Sequence, residues 1–190
     1  MGAPAGAAVQ RAHDRCAESS VAALPAGEGA RRRGADRRPL DHLGAGPEDL
    51  AFSQAAAGGD LLFLEACQKR GVRCRIQLPF DEPAFIEQSI VPSTDGDAWR
   101  DRYFALKGTL DRSAIRFMPT ELGPLPRGID AFERCNLWLL YSALARGIDK
   151  VRFVCVWNGG GGDGPGGTAH MYNEVKRRSG RVTWIDTRTL

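Results

Sequence analysis

The chain of 190 residues has no apolar run of the ~18 to 20 residues that a membrane helix requires. Its N-terminus also lacks the apolar core of a secretory signal. An organellar transit peptide is poor in acids, whereas Asp14, Glu18, Glu28 and Asp36 all fall in this region. The five cysteines (Cys16, Cys67, Cys74, Cys135 and Cys155) are odd in number and show no zinc-ligand spacing. They read as reduced and mostly buried thiols of a cytoplasmic protein, with Cys155 as packing inside a strand rather than a nucleophile. The three histidines, His13, His42 and His170, do not assemble a Ser–His–Asp or Cys–His set. No nucleotide fingerprint of the GxxxxGK[ST] type is present, and no repeat is seen.

Aromatic residues are also missing from one stretch in particular. Between Gly2 and Pro39, 26 of the 38 residues are Gly, Ala, Arg or Pro, and none is Ile, Phe, Trp or Tyr. Such a segment buries too little apolar surface to offset its ordering entropy, so residues 1–39 are expected to be disordered or weakly helical. The basic cluster Arg31–Arg33 with Arg37 and Arg38 reads as a solvated tail. Nothing aromatic interleaves it for stacking on nucleic acid, and with a net charge of only +3 a nucleic-acid partner is not expected.

From residue 40 onward the pattern is that of an α/β domain. "DLAFSQAAA" (Asp49–Ala57) is a strand running into small residues, and "GGDLLFLEACQKRG" (Gly58–Gly71) a helix that Asp60 can cap and Gly71 ends. "RCRIQLPF" alternates as a strand, Pro83–Ser89 and Asp97–Lys107 read as helices, and "SAIRFMP" as a strand. "AFERCNLWLLYSALARG" (Ala131–Gly147) is an apolar helix, and "KVRFVCVW" (Lys150–Trp157) a continuous apolar strand of the kind found inside parallel sheets. A helix over Thr168–Arg178 and a strand "RVTWID" (Arg181–Asp186) close the chain. Alternating strands and helices predict a doubly wound, parallel, Rossmann-like three-layer sandwich.

In that architecture all strand-to-helix loops emerge at the carboxyl edge of the sheet, where ligands bind. Two glycine loops fall there. One is Gly58–Gly59, ahead of Asp60. The other is the seven-glycine stretch from Gly159 to Gly167, ahead of Thr168. Each leads into a helix start, where free N–H groups and a partial positive charge suit a phosphate or carboxylate. In the second loop Thr168 can cap the helix while Gly166 and Gly167 expose their amides. The alternative is a long surface turn. Asn158 and His170 are further candidate contacts, His170 being equally placed to face solvent. Asp163 fits a ribose or metal contact or a plain turn, and Glu65 either reaches the site or is an exposed helix residue.

"GPGGTAHMYNEV" after an apolar strand resembles the PGG–T signature of the SLOG superfamily. These Rossmann-like proteins include the LOG (lysine-decarboxylase-like) phosphoribohydrolases and a bacterial DNA-processing family. "GGDLLFLEACQKRGVRCRIQLPFDEPAFIEQSI" resembles the matching early helix and strand. The resemblance runs from about Leu43 to the C-terminus and is closest to a bacterial branch described as TRAFs-binding or tetratricopeptide-repeat-associated. It implies a nucleotide or nucleotide-derived ligand on Gly58, Gly59, Asp60, Gly164, Pro165, Gly166, Gly167 and Thr168, with no metal. Enzymatic LOG members carry PGGxGTxxE. Here the loop is PGGT, the glutamate position is Met171, and Glu174 lies nearly two turns away. The resemblance therefore implies a binding or sensing module of a signalling or defence protein, associated with repeat or effector domains. A nucleotide hydrolase of the phosphoribohydrolase type and a protein-interaction module without ligand are the alternatives.

The resemblance also implies a strand and phosphate loop ahead of Leu43, which the written sequence does not supply. A permitted back-translation of Val9–Arg31, shifted by one nucleotide, reads FSGHMIDAPSRPSRPYPPEKAR, of the kind those relatives carry. Residues 1–39 are thus compatible with an out-of-frame reading caused by a frameshift or by a misassigned gene start. The expectation is a domain over residues 40–190 whose first strand is missing.

Overall fold

The computed structural model describes residues 19–23, 39–157, 159 and 166–186. The elements in chain order are β1 (Ser19–Ala23), α1 (Pro39–His42), β2 (Leu50–Ser53), α2 (Gly59–Gln68), β3 (Arg73–Leu78), α3 (Glu82–Ser89) and α4 (Gly96–Gly108). They continue with β4 (Ile115–Phe117), α5 (Met118–Leu122), α6 (Ala131–Leu144), β5 (Val151–Trp157), α7 (Thr168–Arg178) and β6 (Val182–Asp186).

The boundaries follow local chemistry. Asp81 caps α3 by accepting from the Ala84 N–H at 3.0 Å, with Pro83 in the first turn where a missing N–H is harmless. Asp130 caps α6 by accepting from the N–H groups of Phe132 and Glu133 at 2.9 and 3.0 Å. Gly71, at φ +74°, turns the chain out of α2 and into β3.

One six-stranded sheet of order β4-β3-β2-β1-β5-β6 forms the centre. Strands β2, β3 and β4 run parallel to one another, and so do β5 and β6. Alternate residues of β2 and β5 enter two separate apolar clusters. Ala51 and Val154 join Leu61, Leu64, Ile76, Phe85 and Tyr103 under α2, α3 and α4. Leu50, Phe52, Val151, Phe153 and Cys155 join Leu139, Leu140, Met171 and Val175 under α6 and α7. The fold is a mixed α/β one, with helices packed against a largely parallel sheet.

Two expectations are corrected. The sheet does not lack a strand between β2 and β5: Ser19–Ala23, inside the segment expected to be disordered, occupies that place. It is antiparallel to both neighbours, with Val21 in register with Phe52 on one side and Phe153 on the other, so the sheet is not uniformly parallel. The physical reason is tertiary. The facing edges of β2 and β5 carry N–H and C=O groups that need partners in a buried setting, and any short extended segment satisfies them. Residues 1–18 and 24–38 lie outside the described residues.

Candidate functional site

The carboxyl ends of β2 and β5 carry the two turns of interest. After β2 the chain reads Gln54-Ala55-Ala56-Ala57-Gly58-Gly59-Asp60, and the backbone is bent hard. Ala55 sits at φ +63°, a left-handed conformation unusual for a residue with a Cβ, and Gly58 at φ +95°. The Ser53 hydroxyl steadies the bend by accepting from the Ala55 N–H at 3.1 Å. Gly58 is the N-cap of α2 and has no side chain to satisfy the first amides. Asp60, expected as the cap, is instead one residue inside the first turn and 2% exposed. The correction follows from the glycine pair: Gly58 adopts a backbone open only to glycine, so the helix begins two residues earlier.

The turn before α7 shows the same design. Gly167 is the N-cap, with extended backbone and no side-chain cap. Thr168 therefore does not cap the helix as expected but occupies its first position. It is 2% exposed, and among the described residues its Oγ1 has no hydrogen-bond partner. Helix geometry leaves the N–H groups of Thr168, Ala169 and His170 without intrahelical acceptors, the first intrahelical bond running from the Met171 N–H to the Gly167 carbonyl at 3.2 Å. A buried hydroxyl with no partner among the described residues, beside amides that have no intrahelical acceptor, is costly unless something accepts from them.

The two turns are tied together. The Gln54 Nε2 donates to the Asn136 Oδ1 at 2.7 Å, and the Asn136 Nδ2 donates to the Gly166 carbonyl at 2.6 Å. Both amide side chains are buried. Gly166, at φ +86°, lies against the start of α6. A Cβ there would fall 2.7 Å from the Glu133 N and from the Phe132 Cβ. The α6 and α7 helix starts are thus packed directly on each other. His170 turns its Nε2 to 3.4 Å from the Glu133 Oε1, and its buried Nδ1 has no hydrogen-bond partner among the described residues. It faces α6 rather than open solvent.

Of the expected site residues, Gly58, Gly59, Asp60, Gly166, Gly167, Thr168 and His170 lie at these two helix starts. Asn158, Asp163, Gly164 and Pro165 lie outside the described residues. Glu65 does not reach the site, because its carboxylate is paired with the Arg102 guanidinium of α4 at 2.8 and 2.5 Å. Glu174 is also engaged elsewhere. Burial alone would raise its pKa, but hydrogen bonds from Arg178 and Arg177 outweigh burial and hold it below the ordinary carboxylate value. Cys155 is 1% exposed, and burial pushes its thiol up to about 12, which removes the thiolate that a nucleophile needs. Among the described residues no group of three His, Cys, Asp or Glu side chains could hold a metal ion. Nor is any described helix long and apolar enough to cross a membrane.

Sequence reasoning missed Gln54, Asn136 and Glu133. A signal for the first two was present: each is an amide set among apolar residues, in "AFSQAAA" and "RCNLWLL". Buried amides of that kind must find partners. Comparison with known proteins adds no relative: no family model, no curated protein and no solved structure matches the chain.

Proposed function

We propose that the chain is a nucleotide-binding module of the SLOG type, a doubly wound Rossmann-like domain that senses a nucleotide or nucleotide derivative without turning it over. In this reading it serves a bacterial signalling or defence protein and works with repeat or effector domains. The observation that carries the reading is Thr168. Its buried hydroxyl has no hydrogen-bond partner among the described residues, and it stands after two glycines at the start of a helix that has no side-chain cap. Helix start, hydroxyl and amides together suit the oxygens of a phosphate. The Gln54–Asn136–Gly166 connection ties the segment that leads to the second uncapped helix start, at Gly58, to the turn before α7. That pairing supports a ligand spanning both turns, as a nucleotide with separate phosphate and sugar contacts would. The absence of the PGGxGTxxE glutamate, with Met171 in that place fully buried, supports sensing over catalysis. Titration of AMP into the full chain, followed by calorimetry and by the melting midpoint, tests the reading. Saturable binding with a raised midpoint is expected.

A hydrolase reading is favoured by one observation, the His170–Glu133 pair on the first turns of α7 and α6. Such a pair can hold and pass a proton. Release of adenine and ribose 5-phosphate from AMP, lost in Glu133→Gln, would establish that reading over sensing.

A further inference from the structure

An aromatic cluster stands beside the α7 start. Trp157 ends β5, Tyr172 is one turn into α7, and Trp184 lies on β6. Their ring centroids are 5.8 Å apart for Trp157–Tyr172, 5.8 Å for Trp157–Trp184 and 6.4 Å for Tyr172–Trp184. The Trp184 Nε1 donates to the Trp157 carbonyl at 2.8 Å, which fixes the indole against the sheet. Packing alone accounts for rings that end up covered. Trp184 stays 42% exposed on a strand at the edge of the sheet, while Met171 and Val175, in the apolar cluster against which Tyr172 packs, are fully buried.

Position gives the cluster a meaning. Tyr172 follows Thr168 by four residues, so the two lie on the same side of α7, about 6 Å apart along its axis. That is comparable to the span from phosphate to base in a mononucleotide. Lys176, a further turn on, holds its Nζ 5.6 Å from the Tyr172 ring centroid and adds positive charge to the same side. We propose that Trp184 and Tyr172, backed by Trp157, form the platform on which the ligand's purine base stacks when its phosphate occupies the α7 start. This inference rests on the nucleotide-binding reading and deepens it by naming the base contact. A purine offers the larger π face, and aromatic stacking accepts any base of that size.

The test compares AMP with ribose 5-phosphate, which has the phosphate and sugar but no base, on the full chain and on Trp184→Ala and Trp184→Phe. Calorimetry gives affinity and tryptophan emission reports the platform. The expected result is AMP binding about ten- to a hundred-fold tighter than ribose 5-phosphate, with quenched emission for AMP alone. Trp184→Ala should remove that advantage and leave ribose 5-phosphate binding unchanged, while Trp184→Phe, which keeps a ring, should retain most of it. Equal binding of the two ligands, or an AMP advantage that survives in Trp184→Ala, would overturn the platform and leave the anion site standing. If neither ligand binds the unaltered chain, the nucleotide reading falls and the platform with it.

Discussion

Gly166 and Asp49 show how single positions carry opposite kinds of constraint. Gly166 needs both a left-handed backbone and the space where a Cβ would meet the α6 backbone. Gly166→Ala should therefore lose about 2–4 kcal/mol in urea denaturation, combining left-handed strain with overpacking. Asp49, at the opposite end of β2, is 4% exposed. Its Oδ2 accepts from the Gly46 N–H at 2.7 Å, while its Oδ1 has no hydrogen-bond partner among the described residues. Burial raises its pKa above the ordinary 3.8, outweighing the Gly46 hydrogen bond. The native state therefore binds this proton more tightly than the unfolded chain does. The resulting stabilisation is fully present below 3.8 and is lost as pH rises through the native value. Denaturation measured across that range should show the unaltered chain losing stability relative to Asp49→Asn as pH increases. A relative gain with rising pH would reverse the assignment.

At the scale of elements, Asn136 is the tie between two turns that are far apart in sequence. It is 82 residues from Gln54 and 30 from Gly166. Asn136→Ala leaves a buried donor on Gln54 and a carbonyl on Gly166 unpaired, so it should cost about 1–3 kcal/mol. It should also weaken AMP binding more than a comparably destabilising substitution at Leu139, in the same helix but within the apolar cluster. Elements set by short-range chemistry were legible in the sequence. The α7 helix, Thr168–Arg178, spans the predicted residues because glycines precede it and Gly180 follows its end. β3 and β5 followed from alternation and from a continuous apolar run. Capping was read less well: Asp60 and Thr168 are good cap types, but Gly58, at positive φ, and Gly167, with extended backbone, took the cap positions. The Gln54–Asn136 bond was illegible because no local pattern names a partner that distant. β1 was illegible for another reason. "SSVAA" has one β-branched residue and no aromatic, so its strand state depends on the ladders of β2 and β5 rather than on its own preference.

For the whole molecule, everything at the carboxyl edge depends on a sheet whose middle is β1. Val21 is in register with Phe52 and Phe153, so it connects the β4-β3-β2 half to the β5-β6 half. Val21→Pro removes a ladder donor from a central strand and should lower stability by about 2–3 kcal/mol. Hydrogen exchange should then show β2 and β5 losing protection together, because β1 is the shared partner between them. Protection retained in both strands would mean that β1 does not hold the halves together.

The claim on which the functional account turns is that the Thr168 hydroxyl is kept for a ligand rather than for the fold. Thr168→Val keeps the shape of the side chain and removes only the oxygen. Calorimetric titration of AMP into the unaltered chain and this variant, with melting midpoints taken on the same samples, is the most direct test. The account predicts saturable binding to the unaltered chain, roughly ten-fold weaker in Thr168→Val, at an unchanged or raised midpoint without ligand. No binding to the unaltered chain, or a lowered midpoint with unchanged affinity, would contradict it.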